Sequence, residues 1–423
     1  MQHMNHPPQE LLHCFAQEVQ FYFLQSQPGF QYSMRETVPL HFLMFLLLPK
    51  KFHCFHIVNL SVLPLLLMPL FSFGQEIETW NSFYDKETEL TGFINSQDSI
   101  VIKAKFGLFT IANKFDKVIA VSEFNAKMDS YDSYYLLKDG TKFGRDSLYV
   151  FDFSYSCESE GFIKFKDKQK DLVGFFNSKA EVAIPAEYNA LSQMKNGTFI
   201  ALKNAKKEYW DKDKHSGCNH WSWKGGQEFL VDSTNTILIE GFEYNQNLNM
   251  YSLKITDDPI NEKIRDNFLG INGKYYSFIN NKKEFEEYFN KVLDSLTLQN
   301  LLNKSYNEIV FFGDNGWTSI PKSQFFEQNG NEILKRFENL KDQKSNIEYS
   351  IIIEDYLPLP ENLEFLLEDK RDNCGELNLS KYPIFNVLVT YKTDKGKFMY
   401  QDHYNFIKMG TEYELLSVTI RNN

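Results

Sequence analysis

Arginine is scarce in this chain. Only six of its 45 basic residues are Arg, against 56 Asp and Glu, for a net charge of 45 − 56 = −11. Bidentate recognition of phosphates and base edges relies on the guanidinium fork, and an acidic surface repels a polyanion; a dedicated nucleic-acid binder is therefore excluded. No Gly-x-Ser-x-Gly elbow occurs, and Lys224-Gly225-Gly226 lacks the spacing of a phosphate-binding loop. With five Cys in 423 residues the chain has no disulfide framework. What is plentiful is apolar and aromatic material, 43% and 16% of the residues, enough for two or three domains.

The first 75 residues carry an export pattern. Lys50 and Lys51 precede an uncharged apolar run from Ile57 to Phe73, interrupted by Pro64 and Pro69 and ending at Phe71-Ser72-Phe73-Gly74 before Gln75. The run is short for a membrane span of about 20 residues; a signal peptide cleaved near Gly74 fits it better than an uncleaved anchor. Because such peptides begin close to their charged region, Met44 reads as the true start. No Cys follows the run where a lipoprotein would be acylated. Residues 1–74 are thus an upstream extension plus signal peptide, and the mature chain is expected to be secreted, periplasmic or held at the cell envelope, with no stable membrane span.

Trimming leaves the charge at −11 but removes six of nine His, so His215, His220 and His403 remain, with Cys157, Cys218 and Cys374. One bridge among three Cys is open in an oxidising compartment. So small a set of imidazoles argues against His-dependent catalysis.

Self-comparison of the mature chain finds one segment written three times without gaps: Phe93–Ile102, Phe175–Ile184 and Leu230–Ile239. Each has two apolar residues, an Asn or Asp, four mostly polar residues and a β-rich apolar triplet. The Asn or Asp side chain can bond backbone amides two residues on and close a turn between strands, so each copy predicts a hairpin. Gly92 and Gly174 precede the first two copies, where a missing Cβ permits close approach or a bulge. A weaker echo runs over Gly270–Asn280 around Asn272-Gly273, a strong hairpin signal.

Around the second copy stand Glu160-Gly161-Phe162-Ile163-Lys164-Phe165, Gly174-Phe175-Phe176-Asn177 and Val182-Ala183-Ile184-Pro185-Ala186-Glu187-Tyr188. This text resembles the WG-repeat family of bacterial proteins, whose units run Glu-Gly, strand, Gly-aromatic-Ile-Asp, turn, Val-Ile-Pro, Tyr-Asp. The resemblance covers roughly residues 78–280. The third copy lacks the Gly and the Pro, and no copy has Trp directly before its Gly.

After residue 280 the pattern changes. Phe285, Tyr288, Phe289, Val292, Leu293, Leu296, Leu298, Leu301 and Leu302 recur at helical spacing from Lys283 to about Lys304. A short strand at 308–312, a helix near 324–340 and a strand at 349–354 follow, then a short helix at 362–367 and strands near 385–393, 397–407 and 413–420. Their order is loosely similar to cystatin or nuclear-transport-factor-like cones. The expected fold is a mainly β repeat domain of antiparallel hairpins, residues 75–280, followed by an α+β domain, residues 281–423.

Trp210–Trp223 gathers most of the remaining chemistry. His215, Cys218 and His220, with Asp211 or Asp213, offer ligand types that zinc accepts, in a spacing that matches no established zinc pattern; no metal or cofactor is assigned. Trp210, Trp221 and Trp223 could stack on sugars or pack on a sheet. Alternation on a strand points Asp402 and His403 to opposite faces, which weakens them as a catalytic pair. The run Lys164–Lys170 reads as solvated strand edge and turn. No residue is assigned a catalytic role. The sequence favours an exported, non-catalytic binding or scaffolding protein whose partner is a protein or an envelope glycan; the alternative is an envelope-polymer hydrolase using a carboxylate pair in an interdomain cleft.

Overall fold

The three aligned segments are three copies of one hairpin with one register. In the computed structural model, which describes residues 78–209, 221–313, 316–342 and 346–421, the first pairs Phe93 with Ile102 and Ile94 with Ile100. The second pairs Phe175 with Ile184 and Phe176 with Val182, and the third pairs Leu230 with Ile239 and Val231 with Ile237. Each register slips between its two pairs, so each copy carries a bulge at the same place. The proposed cleavage site, Met44 and the His215–Cys218–His220 segment lie outside the described residues.

The turns close as their sequence predicts. Asn95 Oδ1 accepts the N–H groups of Gln97 and Ser99 at 3.1 and 2.8 Å, Asn177 Oδ1 those of Lys179 and Glu181 at 2.9 and 3.0 Å, and Asp232 Oδ1 those of Thr234 and Thr236 at 2.9 Å. The residue three past this cap is left-handed in every copy: Asp98, Ala180 and Asn235 have φ of 56°, 63° and 68°. Asp and Asn tolerate that conformation, whereas Ala pays roughly 1 kcal/mol for it. Ala180→Gly is therefore expected to raise stability by about 0.5–1 kcal/mol, read as a higher urea midpoint with an unchanged slope; a lower midpoint would contradict this account of the turn.

Hairpins of this kind build four successive antiparallel sheets. The first has seven strands within residues 80–143; a three-stranded sheet spans 162–188, a four-stranded sheet 190–240, and a three-stranded sheet 248–280. Two short hairpins project from them, Val150–Phe151 with Ser154–Tyr155, and Lys206–Tyr209 with Trp221–Lys224. Rings fill the core along this array: Phe93, Phe106 and Phe115 in the first sheet, then Phe175 against Phe199, then Phe242 against Phe268 and Phe278.

Asn280 ends the last of these sheets and caps the first helix, Asn281–Asp294, by accepting from the backbone of Lys282 and Lys283. The helix expected to continue to Lys304 stops at Ser295. Thr297 caps a separate short helix, Leu298–Asn303, through the N–H of Asn300, so a local hydroxyl bond overrides the apolar periodicity. These two helices and Lys322–Lys341 pack on one face of a six-stranded sheet. Its strand order is Gly316–Pro321, Ser305–Gly313, Glu412–Thr419, Phe398–Met409, Ile384–Lys392, Ile347–Glu354. Ser305–Gly313 runs parallel to Glu412–Thr419; every other neighbour is antiparallel. The strand Gly316–Pro321 was not expected from sequence. Leu357, Leu363, Leu366 and Leu367 cover the opposite face.

A loop over 370–381 ties this sheet to the repeats. The Asn373 carbonyl accepts the N–H groups of Asn113 and Lys114 at 2.8 and 3.2 Å. Ser380 Oγ accepts from Met250 N at 2.9 Å and donates to Leu248 O at 3.0 Å. Cys374 forms a disulfide with Cys157, 217 residues earlier. Among the described residues no helix is long and apolar enough to cross a membrane.

Candidate ligand-binding groove

An open groove of about 520 Å³ lies among three hairpins of the repeat region. The strand Ser130–Leu137 supplies Tyr131, Asp132 and Ser133; the turn after Phe143 supplies Arg145 and Asp146; the short hairpin at 150–155 supplies Val150 and Tyr155; and the hairpin of Phe162–Asp167 with Leu172–Asn177 supplies Lys166, Lys168 and Asp171. Phe109 closes one side, edge-on to Tyr155 at 5.4 Å. At the mouth Tyr131 is 41% exposed and meets Phe124, itself 48% exposed, at 5.4 Å.

The floor is a hydroxyl cluster. Ser122 Oγ bonds both Ser133 Oγ and the buried Tyr155 hydroxyl, and loss of solvent pushes the Tyr155 phenol above its ordinary pKa. Asp132 and Asp171 are paired with cations. Arg145 lies 2.7 Å from Asp132, and Asp171 lies 2.5 Å from both Lys166 and Lys207. Hydrogen bonds from those two lysines hold the Asp171 carboxyl below the usual carboxylate range. The lining therefore offers rings, hydroxyls and fixed ion pairs, and Asp171 is held ionised.

Trp221 and Trp223 sit beside this groove. Trp221 and Trp223 meet edge-on at 4.8 Å, and the Lys207 ammonium that bonds Asp171 lies 4.2 Å from the centre of the Trp221 ring. Trp210, His215, Cys218 and His220, with Asp211 and Asp213, fall outside the described residues. Asp402 and His403 take opposite faces as alternation predicts: Asp402 is buried 2.5 Å from Arg336, while His403 Nδ1 meets Asn386 at 2.9 Å. Burial holds the His403 imidazole below its ordinary pKa, Arg421 adds to that, and Asp402 opposes it.

One lysine of the Lys164–Lys170 run departs from the solvated reading. Lys164 turns inward with its ammonium 5.4 Å from the centre of the Tyr149 ring. Loss of solvent lowers its pKa to about 8, against the pull of Glu376 and with the help of Lys195. Asp372 and Glu376, from the 370–381 loop, are both raised by burial, and Glu376 further by the charge of Asp372. The reason for the inward turn is tertiary: the loop that covers this strand is more than 200 residues away in sequence.

The Lys164 shift has a measurable consequence. Unfolded, the ammonium titrates near 10.5, and folded near 8; between these values the unfolded chain binds more protons, so stability rises with pH across that window. Below about pH 8 both states are charged and the burial cost is fully present. The denaturation midpoint should therefore climb from pH 8 toward 9.5, with a shallower climb in Lys164→Met. Equal slopes in the two proteins would refute the assignment. Lys195, lowered by the same cause, contributes in the same direction.

No family model, no curated protein and no solved structure matches this chain.

Proposed function

We propose that this chain is an exported, non-catalytic binding module, built on WG-like β repeats, whose groove takes a protein or glycan of the cell envelope. The observation that carries this reading is the groove itself: open, lined by Phe109, Tyr131 and Tyr155, with Asp132 and Asp171 in ion pairs. Glycoside hydrolysis needs one carboxyl kept protonated beside one that is ionised. The Cys157–Cys374 disulfide supports the export reading, because such bonds persist in oxidising compartments.

The hydrolase alternative finds its best pair in Asp372 and Glu376, which lie where the C-terminal domain meets the repeats. Asp372 Oδ1, however, accepts the N–H groups of Cys374 and Glu376 at 2.9 and 3.0 Å. That oxygen closes the turn carrying the disulfide, which favours a structural role.

Incubation of the purified protein with envelope extract separates the two. The expected result is capture of an envelope component that Tyr131→Ala abolishes, with no new reducing ends. Release of reducing ends that Glu376→Gln abolishes would put the hydrolase in its place. Sequencing the N-terminus of the exported protein should begin near Gln75, and a start far from it would overturn the cleavage assignment.

A further inference from the structure

Three features of the groove bear on what it can hold. Its charges cancel: Arg145, Lys166 and Lys168 face Asp132, Asp146 and Asp171, in a chain whose net charge is −11. A polyanion entering would meet the three carboxylates and a polycation the three cations; an uncharged ligand meets neither penalty. Both ion pairs are reachable from solvent, with side-chain exposures of 51% and 44% for Arg145 and Asp132, and 30% and 42% for Lys166 and Asp171. A cation beside a carboxylate at about 2.5–2.7 Å presents a donor and an acceptor side by side, the complement of two adjacent hydroxyls.

The rings supply the rest. Tyr131 and Phe109 give apolar surface to a ligand that has C–H faces as well as hydroxyls. Asp171 then leads outward through Lys207 to Trp221 and Trp223, so a second aromatic pair begins where the groove ends. The volume, about 520 Å³, falls in the range of small-ligand sites, roughly 300–1,000 Å³.

We propose that the groove binds an uncharged oligosaccharide, stacked on Tyr131 and hydrogen-bonded through the Arg145–Asp132 and Lys166–Asp171 pairs, with longer chains reaching Trp221. This rests on the binding-module reading above and narrows it to a ligand class. Sugar rings alternate apolar faces with edges of vicinal hydroxyls, and the groove alternates rings with ion pairs.

The test titrates the full protein with neutral hexasaccharides (cellohexaose, xylohexaose and chitohexaose) and with acidic oligogalacturonate, by calorimetry at low and high salt. At least one neutral hexasaccharide should bind with an affinity that salt leaves unchanged. Tyr131→Ala should weaken it about tenfold or more, and Trp221→Ala should weaken the hexasaccharide but not the trisaccharide. The urea midpoint of each variant serves as the folding control. Binding confined to oligogalacturonate and lost at high salt would overturn the proposal. Failure of every glycan, with Tyr131-dependent capture of an envelope protein, would overturn it while leaving the binding module standing; absence of any capture would remove both.

Discussion

Gly174→Ala should destabilise the protein by about 3 kcal/mol, a lower urea midpoint at constant slope. A Cβ at this position would stand 2.4 Å from the Ile184 carbonyl oxygen, 2.7 Å from the Phe165 ring and 2.8 Å from the Pro185 carbonyl carbon. Two of these three are backbone atoms of the paired strand, so relief requires the strands to part. Gly92 is in the same position in the first copy, 2.6 Å from the Ile102 oxygen and 2.6 Å from the Phe83 ring, and Gly92→Ala should cost a similar amount. The third copy explains the requirement. There Phe229 replaces the glycine and pairs regularly with Glu240, whereas the first two copies carry an additional register slip at this point. The bulge presses the opposite backbone onto the glycine, and the copy without it accepts a ring. A loss below about 1 kcal/mol in both Ala variants would show that the bulges yield cheaply.

Removing the Cys157–Cys374 disulfide should have the largest effect. The bond closes a loop of 217 residues, and for a loop of that size the chain-entropy account gives about 5 kcal/mol, with measured losses of about 2–5 kcal/mol. The double variant Cys157→Ser/Cys374→Ser should unfold at markedly lower urea, and a reductant should lower the midpoint of the wild type but not of the variant. The effect should also reach the groove. Cys157 lies two residues beyond Tyr155, which forms its floor, and Cys374 anchors the loop whose Asn373 carbonyl holds Asn113 and Lys114. Ligand capture should therefore weaken in the variant more than in Ala180→Gly. A reductant that leaves the midpoint unmoved would mean that packing alone holds the 370–381 loop.

The repeats were legible because their determinants are local. A cap residue binds N–H groups two and four positions on, and the strand pair follows within ten residues; the same holds for the opposed faces of Asp402 and His403, a consequence of the two-residue period of a strand. The helix break at Ser295–Thr297 was hidden because Leu296 and Leu298 keep the apolar rhythm through it. The strand Gly316–Pro321 has no alternation strong enough to mark it, and pairing with Ser305–Gly313 alone makes it a strand.

The groove was not legible at all. Tyr131, Val150 and the Lys166–Asp171 pair belong to separate hairpins, and nothing in the sequence brings them together with one another or with Arg145. The Trp221–Trp223 pair was visible, but its connection through Lys207 to Asp171 was not.

The repeated Asn and Asp turns and the sheet-forming triplets determined the β-rich hairpin fold, because turn chemistry and strand period act over a few residues. Which lysine loses solvent, which two of five cysteines meet, and which rings stay exposed were settled by packing. Those outcomes depend on which distant strand or loop lies over a side chain, and burial by a segment two hundred residues away leaves no mark on the residues it covers.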